Sequence, residues 1–147
     1  MKKITTLLIS FLLIGTAFGQ TATIGTSLTS PGTTIEIPLT VTNWYNIEAI
    51  TLRVKYHTDA LQLIGCDVPE DMCYYDNNGV VGFAWCSLTP MNFYGEIITF
   101  HFVAMRTGEI NFIPNLCEII QNPYIPLNVK YTNGKIIVPV KLTMDKK

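Results

Sequence analysis

Three stretches of this chain alternate an apolar set with a second, mostly polar set at a period of two. Ile35, Ile37, Leu39 and Val41 interleave with Glu36, Pro38, Thr40 and Thr42. Ile50, Leu52, Val54 and Tyr56 interleave with Thr51, Arg53 and Lys55. Ile98, Phe100, Phe102 and Ala104 interleave with Thr99, His101, Val103 and Met105. Successive strand side chains point to opposite faces, so each stretch reads as a strand with one buried and one wet face. Tested at helical spacing, the chain shows no amphipathic stripe. Its richness in Val, Ile, Thr, Tyr and Phe suits a pleated, half-buried surface.

Turn signals divide these stretches at short intervals. Ser30-Pro31-Gly32, Asn43 to Asn46, Asp76-Asn77-Asn78-Gly79 and Thr107-Gly108 each supply residues that favour tight or left-handed backbone. Asn78-Gly79 is the strongest hairpin signal and predicts that 72–75 pairs with 80–86. Pro38 lacks an N–H, so its position should be unpaired or lie at an edge. Residues 114–126 carry three prolines and read as irregular. The last strand falls near 129–138, interrupted at Asn133-Gly134. About nine strands and no helix predict an all-β sandwich of two packed antiparallel sheets.

The first residues predict export. A basic Met1-Lys2-Lys3 start precedes an uncharged apolar run and then Ala17-Phe18-Gly19. This is the layout of a secretory signal over residues 1–19, with cleavage before Gln20. The run is short for a membrane span, which needs about 20 residues. One domain over 20–142 and a polar tail over 143–147 follow. Lys2 and Lys3 leave with the signal, so eight basic residues face eleven acidic ones and the net charge becomes −3. Without a basic stripe, the chain lacks the electrostatic footprint of nucleic-acid binding.

Cys66, Cys73, Cys86 and Cys117 are an even set in an exported chain, which suggests disulfides. Of three possible pairings, Cys66–Cys73 closes a short loop and Cys86–Cys117 ties two strand ends. Their spacings are wider than the close pairs of a zinc site. His57 sits at a bend and His101 on an outward strand position, with no nucleophile elbow around any serine. Asp67, Glu70, Asp71 and Asp76 gather near one loop without the ligand spacing of a calcium-binding helix–loop–helix motif. No glycine loop for phosphate is present. The residues therefore point to no catalytic group, no metal and no cofactor.

Read in order, several segments resemble the cohesin domain of cellulosome scaffolds. Thr23-Ile24-Gly25-Thr26, Ser30-Pro31-Gly32-Thr33 and Ile37-Pro38-Leu39-Thr40-Val41-Thr42-Asn43 are similar to that family's opening. Residues 50–63 look like its central strand, and Gly82-Phe83-Ala84-Trp85 like the strand after its Asn-Gly hairpin. Thr99-Phe100-His101-Phe102 with Gly108, and Tyr131-Thr132-Asn133-Gly134-Lys135-Ile136, look like its seventh and closing strands. The likeness spans 23–138. It implies a nine-stranded jelly roll that docks a dockerin domain, itself calcium-dependent, on an enzyme of extracellular polysaccharide breakdown. The chain departs from the family where the polar pair that many cohesins offer early in the central strand falls at Ala49 and Thr51.

The expected docking face is the sheet bearing the central strand, the hairpin and 80–86. Thr51, Arg53 and Lys55 would supply polar contacts, and Tyr74, Tyr75, Leu88 and Met91 apolar ones. The alternative is a carbohydrate-binding module in which Trp44, Tyr74 and Tyr75 stack on sugar rings. A third reading is a structural domain of the cell surface that associates with itself. Phe83, Trp85, Phe100, Phe102 and Phe112 fall at inward positions and belong to the core. In a secreting host the chain should leave the cytosol with Gln20 as its first residue. N-terminal sequencing that finds Met1 on exported protein would reject the signal assignment.

Overall fold

A computed structural model of the chain describes residues 19–140. Apart from Gly19, the expected signal peptide lies outside the described residues, as does the tail at 143–147. Eleven strands form one curled sheet: β1 (Gln20–Ile24), β2 (Thr26–Leu28), β3 (Thr33–Tyr56), β4 (Leu61–Asp67), β5 (Cys73–Asn77), β6 (Val80–Ala104), β7 (Gly108–Phe112), β8 (Glu118–Gln121), β9 (Ile125–Pro126), β10 (Val129–Thr132) and β11 (Gly134–Ile137). A single 3-10 turn, Pro114–Leu116, is the helical element among the described residues. No helix there is long and apolar enough to cross a membrane.

The sequence predicts separate strands at 34–42 and 50–56, and at 80–86 and 98–105. The structure joins each pair into one long strand. β3 and β6 run antiparallel from Thr33↔Ala104 to Lys55↔Val80, with register shifts between Leu39 and Ala49. Asn43 and Asn46, both at positive φ, mark two of these shifts, between Val41 and Trp44 and between Trp44 and Ile47. Ile37, Leu39 and Val41 are buried at odd positions before this irregularity, and Ile50, Leu52 and Val54 at even positions after it. β6 reverses phase in the same way, from Phe83 and Trp85 to Phe100 and Phe102. Each half thus turns its apolar side to the other, and the ribbon folds into two layers.

The front layer holds β5, the first half of β6, the second half of β3, and β8 with β9. The back layer holds β4, the second half of β6, the first half of β3, β1 and β10. β7, β11 and β2 continue the sheet from the end of β3. β1 with β10 and β2 with β11 are parallel pairs, so the ladders are not wholly antiparallel. The structure thus has eleven strands where the sequence predicts about nine, because short breaks at Gly25 and Asn133 divide strands while β3 and β6 each join two.

The second seam between the layers depends on Pro38. β1 pairs with β3 up to Ile24↔Leu39. Gly25 N–H then donates to the Pro38 carbonyl at 2.9 Å. Pro38 has no N–H to return, so the ladder ends there, as its chemistry requires. A Cβ on Gly25 would stand 2.9 Å from the Pro38 ring, and one on Gly134 would collide with the Gly25 carbonyl oxygen. The two crossing strands touch through glycine because nothing larger fits. Between the layers, Trp44, Phe83, Phe100, Phe102 and Ile50 are almost wholly buried, and among the described residues no polar or charged one belongs to the fully buried set. Each such side chain contributes on the order of 1.5–3 kcal/mol by leaving water.

The four cysteines are free thiols, which corrects both expected disulfides. Cys86 lies opposite Ala49 on one side of β3, while Cys117 precedes β8 on the other side. Two strand spacings, about 9.5 Å, separate those tracks, beyond the roughly 7 Å Cα reach of a disulfide. Cys66 meets Tyr74 instead, whose hydroxyl accepts its N–H at 3.2 Å. Strand alternation sends neighbouring Cys73 to the opposite face. Burial, with the Asp76 and Asp67 carboxylates nearby, pushes the Cys66 thiol up to about 12.

Two outcomes follow from this packing. Gly134→Ala should lower unfolding free energy by about 2–3 kcal/mol with an unchanged denaturant slope, because backbone blocks the added methyl; an unaltered midpoint would contradict the seam. Alkylation at about pH 8 should modify exposed Cys73 and Cys86 at least about tenfold faster than Cys66. Mass spectrometry that finds Cys66 reacting first would overturn its placement.

Candidate partner-binding face

The outward side of the front layer is built by register. Asn78 (φ 50) and Gly79 (φ 87) make the tight turn that pairs β5 with β6. β3 lies on the other flank of β6, and β8 beyond β3. The outward residues therefore form straight cross-strand rows. Cys73, Ala84, Thr51 and Glu118 make one row across four strands. Tyr75, Gly82 and Arg53 make the next, and Asn77, Val80 and Lys55 the one beyond. On the opposite flank, Cys86, Ala49 and Ile120 are aligned.

The middle row is a built arrangement. The Arg53 guanidinium lies over the Tyr75 ring, 5.2 Å from its centroid, at cation–π distance. Its Nη1 also donates to the Leu52 carbonyl at 3.3 Å. Gly82 makes room for both: a Cβ there would come within 2.5 Å of the Tyr75 ring and 2.7 Å of Arg53 Nη1. Behind the strand, Arg53 N–H donates to Cys117 Sγ at 3.4 Å and its carbonyl accepts from Ile113. Ion pairs among the described residues involve His101 and Arg106, and neither Arg53 nor Lys55.

Thr51, Arg53, Lys55 and Tyr75 stand together on this face, as the alternation of β3 and β5 predicts. Leu88 and Met91 are exposed on β6 beyond Cys86. Tyr74 differs. It points to the inner side, tilts against Phe83 at 6.1 Å and accepts the Cys66 N–H, although its outer edge stays exposed. Neighbouring strand residues face opposite ways, so Tyr74 and Tyr75 form no common stacking platform.

Trp44 is a correction. It is 0% exposed and can stack on no sugar. The sequence places it in a surface turn, but the strand runs on through 43–49 and the bulge drives the indole inward. Phe93 is buried as well, edge-on to Trp85 at 4.9 Å. Of the expected sugar-stacking set, Tyr75 alone is outward on the front face.

Glu70 and Asp71 lie in the loop between β4 and β5, while Asp67 and Asp76 belong to the strands on either side of it. Asp76 is in β5 and accepts a hydrogen bond from the Tyr56 hydroxyl at 2.8 Å. Burial and this carboxylate raise the Tyr56 phenol above its ordinary range. Asp67 ends β4 on the back layer, where it meets His101 Nε2 at 2.8 Å, while Glu36 stands 3.7 Å from Nδ1. The carboxylates flank different ring nitrogens, and among the described residues no group of three His, Cys, Asp or Glu could hold one metal ion. A cleft of about 960 Å³, lined by Leu28, Pro31, Met105, Val138 and Val140, shares no residue with the front face.

The sequence assigns no docking role to Gly82, Ala84, Glu118 and Ile120. The last two sit on β8, inside the proline-rich stretch that reads as irregular, where the available signal is only the short run Ile119-Ile120. Small residues such as Ala84 announce no role until cross-strand neighbours are known.

No family model matches the chain, and no curated protein does. Solved structures do. The third cohesin of ScaC from Acetivibrio cellulolyticus, solved with the ScaB dockerin in a type I interaction, is 20% identical with a TM-score of 0.75, over 82% of this chain and 99% of that one. A non-cellulosomal cohesin from Archaeoglobus fulgidus is 14% identical with a TM-score of 0.73, over 84% and 93%. A cohesin from Clostridium acetobutylicum in solution is 14% identical with a TM-score of 0.72, over 82% and 90%. The chain has the cohesin fold.

Proposed function

We propose that this chain is an exported, non-catalytic docking module that receives a dockerin-type domain on the outward face of β5, β6, β3 and β8. The observation that carries the reading is the flat row of Cys73, Ala84, Thr51 and Glu118 beside the Arg53–Tyr75 pair, on a fold whose solved relatives include cohesins in complex with dockerins. The face suits a helix. Ala49, Ala84, Cys73 and Cys86 form a floor of small side chains, and a helix about 10 Å across would span roughly two strand spacings. Tyr75, Met91 and Leu88 offer exposed apolar area at its rim. The signal-like N-terminus supports display outside the cell, and the setting proposed is an assembly that breaks down polysaccharide.

Dockerin-bearing proteins captured from the source organism's culture supernatant should bind in calcium and be released by chelator, since the partner's fold needs the ion. Ala84 is exposed at the centre of the face, so Ala84→Arg should weaken the complex at least about tenfold with stability changed by no more than about 0.5 kcal/mol. Equal binding by wild type and Ala84→Arg in surface plasmon resonance would put the interface elsewhere.

A further inference from the structure

We propose that Arg53 is a carboxylate-recognition residue, and that the partner helix presents Asp or Glu at two positions four residues apart, one to Arg53 and one to Lys55. The inference rests on the docking reading above and supplies its partner chemistry. Guanidinium groups carry five donors in a planar fork matched to a carboxylate. Here one donor is spent on Leu52, and the group rests between the Tyr75 ring and the space left open at Gly82. The group is half-buried, and no carboxylate among the described residues pairs with it. A guanidinium held by a ring and a backbone carbonyl and left without a counter-ion is positioned in advance for an anion from outside.

Spacing selects the helix. Arg53 and Lys55 are two residues apart on one strand, about 6.7 Å. Residues four apart on a helix rise about 6 Å on one face. A helix lying along β3 can therefore place one carboxylate over each cation. Glu118, across Thr51 on β8, sets a negative charge at the next row and disfavours a third acid there. Ala49 and Thr51, earlier on β3, carry no charge, so the cations that β3 offers on this face are Arg53 and Lys55.

The test is a display library built on the ScaB dockerin, with the exposed positions of its helices randomised, selected in calcium against this chain and, in parallel, against the third ScaC cohesin. Binders to this chain should be enriched in Asp or Glu at a spacing of four. They should lose at least about tenfold in affinity on Arg53→Gln, recover only in part on Arg53→Lys, and weaken between about 50 and 500 mM NaCl. If Arg53→Gln does not fold, replacing the selected acids by Asn in the dockerin reads the same contact and should cost the same factor. Binders without acidic enrichment, or indifferent to both replacements, would overturn this inference and leave the docking reading standing. Binders to the ScaC cohesin but none to this chain would overturn the docking reading with it.

Discussion

The architecture depends on one antiparallel ladder, β3 against β6, that reverses its inward phase halfway along. A strand with strict alternation can bury only one side, and two such strands make a flat ribbon with one apolar face. Between Val41 and Ile50 the buried position slips three times, by way of Trp44 and Ile47, with Asn43 and Asn46 at the first two slips, and the odd number of slips moves burial from odd to even positions. The ribbon then folds its own apolar face against itself. Every other strand adds to one half or the other: β1 and β4 to the back, β5 and β8 to the front. Trp44 sits inside that bend and fills it.

Closure at the second seam is a matter of what is missing. Pro38 withholds a donor, which ends the β1 ladder at Gly25. Gly25 and Gly134 withhold side chains, which lets two strands cross between layers in contact. The two seams differ in chemistry. One inserts residues into a ladder, and the other removes a hydrogen-bond donor and two Cβ atoms. Both convert a sheet that would otherwise continue flat into a closed sandwich.

The front face inherits its character from this arrangement. Its ends are pinned by the bulge of β3 and by the Asn78-Gly79 turn, so β5, β6, β3 and β8 stand in fixed register. Arg53 and Tyr75 are far apart in sequence and belong to strands that never pair with each other. They meet because Gly82, on the strand between them, has no side chain. Cys117 Sγ and the Ile113 N–H hold the Arg53 backbone from the other side. A cation on an open face is thereby held against the Tyr75 ring.

The strands themselves were legible because alternation is a local property: residues two apart share a face whatever lies beyond them. The inward aromatics Phe83, Trp85, Phe100, Phe102 and Phe112, the Asn78-Gly79 hairpin and the consequence of Pro38 all followed from residues within a few positions of one another. The sequence alone therefore determined an all-β chain with its outward polar set on β3, Thr51, Arg53 and Lys55. What it could not determine was anything carried by neighbours across strands. Trp44 reads as a turn residue until the long ladder runs through it, the cysteines read as pairs until two strand spacings separate Cys86 from Cys117, and β8 reads as loop until β3 supplies its partner. Register between strands distant in sequence is set by collective burial of the core, and only the tertiary structure decided it.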